Sequence, residues 1–170
     1  MLTQSNNSKR NRVLIGEWQC PDELFQELDN EFHFTLDACA QPFSAKCKKF
    51  FTPKDDGLAQ NWKGHTVWCF PPSGVCQLRD WVRKAAHEAK KANTTVVMLL
   101  PVSTDARWFH EHILHANGVT LRFLPARVHY ENLMLPTWAK EGTAQPQKKG
   151  SMRPSMVVIF TGGKKKFQVQ

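Results

Sequence analysis

Apolar positions recur at two periods along the chain, and the switch between them predicts the elements. Leu24, Phe25 and Leu28 lie at helical spacing behind Pro21, with Asp22 and Glu23 in the first turn, where the helix dipole favours acids. Phe32 to Ala38 alternates apolar and polar residues and predicts a first core strand ending at Asp37. Gln41 to Asn61, with Pro42, Pro53 and the turn-forming Asp55-Asp56-Gly57, reads as irregular. Thr66-Val67-Trp68-Cys69 predicts a buried strand that runs into Phe70-Pro71-Pro72-Ser73-Gly74. Gln77 to Ala92 predicts a helix, with Trp81, Val82, Ala85 and Ala89 on one face and basic residues on the other. Thr94 to Leu100 is a nearly continuous apolar run, of the kind buried on both faces of a parallel sheet. A helix from Asp105 to His115 and strands at Val119–Leu124 and Ser155–Thr161 complete the pattern. Arg127 to Gly150 has no clear periodicity and reads as a long functional or disordered loop.

Strands alternating with helices predict an α/β protein: a mostly parallel sheet with an antiparallel edge and helices on both faces. The 170 residues, 41% hydrophobic, fit one domain at 15–162, between basic tails at 1–14 and 163–170. No apolar run approaches the ~20 residues of a membrane span, and the polar N-terminus is unlike a signal peptide. The five cysteines form no C-x-x-C pair and read as reduced thiols of a cytosolic protein, with no metal site. His110, His112 and His115 read as surface or capping residues. A formal net charge of +8 favours a polyanionic partner, although a solvated basic face has the same composition.

Three segments could carry chemistry. The first proline after Cys69 forces Phe70 into an extended conformation, and a strand ending in Pro-Pro sets rigid backbone where open α/β sheets bind ligands. Asp37 ends a strand and precedes the small residues Ala38, Cys39 and Ala40; it can meet a nucleotide-like cofactor or cap the next turn. Trp18-x-Cys20-Pro21 sits at a helix start, where free N–H groups favour a carboxylate, or is an ordinary proline-initiated helix with Trp18 packed beside it.

Taken in order, Trp18-x-Cys20-Pro21-x-x-Leu24-Phe25, Phe34-x-Leu36-Asp37-Ala38-Cys39-Ala40, Asp56-Gly57-Leu58 with Trp62, and Val67-Trp68-Cys69 before the double proline resemble the small phage and prophage DNA adenine-N6 methyltransferases. Trp81-Val82-x-Lys84-Ala85, Leu99-Leu100-Pro101 and Trp108-Phe109-His110 continue the series to about Phe160. The resemblance implies a single-domain Rossmann-like methyltransferase fold, S-adenosyl-L-methionine as cofactor, double-stranded DNA as partner, and action in the bacterial host cytoplasm in phage DNA modification against restriction. It implies Trp18, Cys20, Pro21, Asp37, Ala38, Cys39 and Asp56 as cofactor contacts. Arg79, Arg83, Arg127, Trp138, Lys148 and Lys149 become the candidates for DNA contact.

The family's catalytic motif is Asn/Asp-Pro-Pro-Tyr, and here it stands as Phe70-Pro71-Pro72-Ser73. Its first side chain and a proline carbonyl accept hydrogens from an adenine amine, and its last ring stacks on the extruded base. Phe70 cannot accept a hydrogen bond and Ser73 cannot stack. Two readings stay open under the resemblance: a methyltransferase of reduced or lost activity, rescued if Phe70 becomes the stacking ring and Ser73 or the backbone supplies acceptors, or a non-catalytic methyltransferase-fold protein binding DNA, cofactor or a host protein. An unrelated basic α/β protein acting on small molecules or RNA is a third class, which the ordered motif series disfavours.

Overall fold

A computed structural model describes residues 18–72, 75–132, 147–150, 153–163 and 166–170. In chain order the elements are β1 (Trp18–Gln19), α1 (Asp22–Phe32), β2 (Leu36–Asp37), β3 (Thr66–Cys69), α2 (Val75–Glu88), β4 (Thr95–Pro101), α3 (Arg107–His112), β5 (Val119–Phe123), β6 (His129–Asn132), β7 (Gln147–Gly150), β8 (Ser155–Phe160) and β9 (Gln168–Val169). They form a mixed sheet in the order β2-β3-β4-β8-β5-β9 and a small sheet in the order β1-β6-β7.

The apolar runs explain the layering. Successive strand residues face opposite sides. Val96, Met98 and Leu100 of β4 and Met156, Val158 and Phe160 of β8 therefore pack with Leu78, Trp81, Val82 and Ala85 of α2 and with Trp108 and Phe109 of α3. Val97, Leu99, Val157 and Ile159 face the other way, where Phe25 and Leu28 of α1 join Trp68. Helices thus cover both faces, and the doubly buried run around Leu99 stands as its sequence predicts.

Five expectations need correction. The antiparallel strand is not at an edge: β8 lies between β4 and β5, antiparallel to both, while β2·β3, β3·β4 and β5·β9 are parallel. Every residue of β8 is buried, so it gains most from partners on both sides, and the two-residue β2 and β9 are left as edges. The first core strand shrinks from Phe32–Ala38 to Leu36–Asp37 because α1 runs to Phe32. Asp29 then ends it: its carbonyl accepts the N–H of left-handed His33 at 2.8 Å and its carboxylate accepts the N–H of Phe34 at 2.7 Å. The helix expected over 105–115 is confined to Arg107–His112. The segment read as an unstructured loop, 127–150, contains β6 and β7, paired antiparallel, with β6 also bonded to β1. Residues 133–146 between them lie outside the described residues, as do 1–14. Gln168–Val169, within the segment read as a basic tail, pair with β5.

Candidate active site at the carboxyl edge of the sheet

The parallel strands β2, β3 and β4 bring Asp37, Cys69 and Pro101 to one edge, with Asp37 in register with Trp68 and Cys69 with Met98. The Ala38 N–H donates to the Trp68 carbonyl at 2.9 Å, so the Asp37–Cys39 segment lies against the strand that leads into Phe70. The sequence placed these two segments at one site, and the sheet brings them together.

Asp37 is buried, at 2% exposure. One carboxyl oxygen accepts the Cys39 N–H at 3.2 Å and the other accepts the Lys46 N–H at 3.1 Å. Burial pushes its carboxyl up to about 6, against the pull of those two hydrogen bonds and of the Lys46 charge. The chain from Lys46 to Phe51 is laid beside it: Asp37 N–H donates to the Lys49 carbonyl, and Phe51 N–H donates back to the Asp37 carbonyl, both at 3.0 Å. Asp37 therefore does cap the following loop, the structural role that its sequence left open. Cys20, Cys39, Cys47 and Cys69 are free thiols. Burial, with the Asp37 charge adding to it, pushes Cys39 and Cys47 up to about 12, so neither is a thiolate nucleophile near neutral pH.

Asp56 is exposed, at φ 52°, and its carbonyl accepts the Ala59 N–H at 2.8 Å, which makes it part of a turn. The next residue ties that turn to the site. A Cβ on Gly57 would stand 2.2 Å from the Ala38 carbonyl oxygen, so only glycine allows the approach. The Trp62 indole N–H holds the same turn through the Gly57 carbonyl at 3.0 Å.

Trp18 belongs to a strand, and α1 begins at Asp22, with Pro21 as its N-cap and the Pro21 carbonyl accepting the Phe25 N–H at 3.1 Å. Cys20 is buried, and its thiol donates to the Pro21 carbonyl at 3.5 Å. One residue earlier, Gln19 Nε2 is buried without a hydrogen-bond partner. A buried donor without an acceptor costs about 1–3 kcal/mol. A buried amide of this kind could donate to a carboxylate, the type of group the sequence expected at Trp18–Pro21.

Phe70 follows β3 with a half-buried ring that stacks on Tyr130, centroids 5.2 Å apart and planes 23° apart. The Tyr130 hydroxyl lies 3.0 Å from the Ser155 hydroxyl on β8. Burial raises its phenol above the ordinary range. Pro71 is buried and Pro72 half-buried. Ser73 lies outside the described residues. Sequence reasoning missed Tyr130 because it fell in the presumed loop; the available signal was that it is the chain's single tyrosine.

Arg79 and Arg83 on α2 are exposed, each near Asp80, at 3.5 Å and 3.3 Å. Arg127 is exposed too. Lys148 and Lys149 contribute backbone to β7, and Trp138 lies outside the described residues. The remaining basic face is partly committed inside the protein. Lys84 and Lys91 hold buried Glu88 at 2.8 Å and 2.7 Å, and Arg122 grips Glu31 through both guanidinium nitrogens.

Fold and site define an α/β protein with a candidate ligand site at the carboxyl edge of parallel strands, between a buried acid and an aromatic strand end. The chain matches the family model for DNA N-6-adenine-methyltransferase (Dam) over residues 4–169 and belongs to that family. It is similar to the DNA N-6-adenine-methyltransferase of Haemophilus phage HP1 (strain HP1c1), 29% identical over 162 residues, 94% of this chain and 85% of the phage protein. It is also similar to the DNA N-6-adenine-methyltransferase of Escherichia phage T1, 31% identical over 96 residues, 55% of this chain and 39% of that protein. Among the described residues no group of His, Cys, Asp or Glu is placed to hold a metal, and no helix is long and apolar enough to cross a membrane.

Proposed function

We propose that the chain is a phage-type, S-adenosylmethionine-dependent DNA adenine-N6 methyltransferase of reduced turnover, acting on double-stranded DNA in the bacterial host cytoplasm. The mixed sheet is, in this reading, a shortened Rossmann-like methyltransferase sheet. Trp18, Cys20 and Pro21, with Gln19 added, would hold the methionine end of the cofactor, and Asp37, Ala38, Cys39 and Asp56 would hold its nucleoside. S-adenosylmethionine supplies an electrophilic methyl group on its sulfonium.

The observation that carries the reading is Phe70. An exocyclic adenine amine is a weak nucleophile because its lone pair is delocalised into the ring. Accepting its two hydrogens turns the nitrogen toward a shape that can attack. The motif keeps its two prolines after β3, but the Phe70 side chain offers no acceptor, and its ring stacks on Tyr130 instead. Losing one oriented polar group of this kind typically slows chemistry by ~10²–10³. The same stack favours a second reading, a binder that has lost catalysis.

Transfer of labelled methyl groups from S-adenosylmethionine to DNA separates them. The natural protein should transfer slowly, and Phe70→Asn combined with Ser73→Tyr should raise the rate by ~10²–10³. Transfer seen only in the reverted protein selects the binder. Equal rates would refute the reading of the motif, and an inactive reverted protein that is folded would refute the methyltransferase itself.

A further inference from the structure

Chemistry on a base inside a duplex requires that the base leave the stack, and an extruded base is held by hydrogen bonds and by aromatic faces. At the strand end where such a base would arrive, the Phe70 side chain contributes no hydrogen bond, and among the described residues the aromatic ring stacked on it is Tyr130 of the small sheet. The two rings differ in how they are held. Tyr130 is tethered by its hydroxyl to Ser155, a fully buried residue of β8, and its strand is bonded on both sides by β1 and β7. Phe70 has no side-chain hydrogen bond to give up and is half-buried. The following proline restricts its backbone to extended conformations, so its ring moves mainly by side-chain rotation.

We propose that Phe70 and Tyr130 form a stacking clamp for an extruded purine, with Tyr130 as the fixed jaw and Phe70 as the moving one. This rests on the DNA-methyltransferase reading and deepens it. In the free protein the jaws close on each other. Insertion of a base exchanges one ring–ring stack for two base–ring stacks, an exchange that favours the bound state. The clamp holds the base by its faces, so it supplies the aromatic grip that Ser73 lacks without restoring an acceptor for the amine. Tyr130 is then a positioning residue contributed by β6, and the corner selects flat, extrudable bases rather than a hydrogen-bonding edge.

The test compares affinities of the full chain for two duplexes of one sequence, one fully paired and one with 2-aminopurine opposite an abasic site. The natural protein and Tyr130→Phe should bind the second duplex about 10-fold more tightly than the first, as expected for base–aromatic stacking. Tyr130→Ala should bring that ratio close to one. Phe70→Leu, which keeps apolar volume without a π-face, should do the same. Circular dichroism and thermal unfolding verify that each variant is folded. A ratio that survives in Tyr130→Ala or Phe70→Leu, or that is absent in the natural protein, overturns the clamp. Failure of the natural protein to bind even the paired duplex overturns the DNA reading as well, so the two failures are distinguishable.

Discussion

Asp37 combines burial with two backbone donors, and burial dominates, so its carboxyl titrates at about 6 instead of the ordinary 3.8. The folded protein therefore holds this proton more tightly than the unfolded chain does. The stability linked to it is fully present below about pH 4 and is lost as pH rises through 6. Over that window the difference amounts to roughly 3 kcal/mol. The unfolding free energy of the natural protein relative to Asp37→Asn should fall by an amount of this order between about pH 4 and pH 7. A flat difference would show that Asp37 stays ionised in the fold and that its carboxylate is better solvated than its surroundings imply. Phe70, just past the neighbouring strand, has no side-chain proton to exchange, so its side chain offers only shape and stacking.

Helix α2 is fastened at its last turn by a buried acid. Glu88 is 1% exposed and accepts from Lys84 at 2.8 Å, from Lys91 at 2.7 Å and from the Trp62 N–H at 2.9 Å. Burial alone would raise its carboxyl, but these hydrogen bonds outweigh that and hold it down at about 2. The sign is the reverse of that for Asp37: the stability is present above about pH 4.5 and lost as pH falls toward 2. Glu88→Ala leaves a buried N–H unsatisfied and removes the counter-charge of two lysines, which keep Gln60 and Asn61 as neutral partners, and should cost about 2–4 kcal/mol in urea unfolding at neutral pH. Glu31→Ala breaks an ion pair with Arg122 whose side chains are 46% and 30% exposed, and should cost less than about 1 kcal/mol. A Glu31→Ala loss as large as that of Glu88→Ala would refute this ranking. The elements easiest to read from the sequence were those whose own residues carry the signal. Thr95–Pro101 is apolar after its first residue, and the Trp81–Val82–Ala85–Ala89 stripe needs no distant partner to be recognised. The pairing of β6 with β1, about 110 residues away, leaves no period in either short strand, so the small sheet and Tyr130 stayed hidden. The interior place of β8, between β4 and β5, is likewise a matter of which strands pair, which the alternation of apolar residues does not encode. For the site, the segments were legible as motifs, whereas their contacts were not. Nothing in Asp37-Ala38 announces that Lys46 will fold back on it, and nothing in Phe70 announces Tyr130.

At the scale of the molecule, a net charge of +8 is spread over a surface where several cations are already engaged. Lys84 and Lys91 belong to Glu88, Arg122 to Glu31 and Lys46 to Asp22, so charge alone overstates what is available to phosphates. Arg79 and Arg83 are different: their side chains are 56% and 67% exposed, both lie near Asp80, at 3.5 Å and 3.3 Å, and Arg79 also feels the Glu111 charge. An exposed pair so loosely held is worth little to folding and can be redirected to a DNA backbone at small cost. Each phosphate neutralised by a protein cation releases counterions and steepens the dependence of affinity on salt by close to one logarithmic unit. The double variant Arg79→Ala, Arg83→Ala should therefore weaken binding to duplexes of any sequence alike and reduce the salt slope by about 2. Thermal unfolding should be almost unchanged, since neither side chain is buried. An unaltered slope would mean that this face of α2 is only solvated, and the DNA path would then have to run over Arg127 and the β6–β7 sheet. A loss confined to particular sequences would instead place these arginines against base edges.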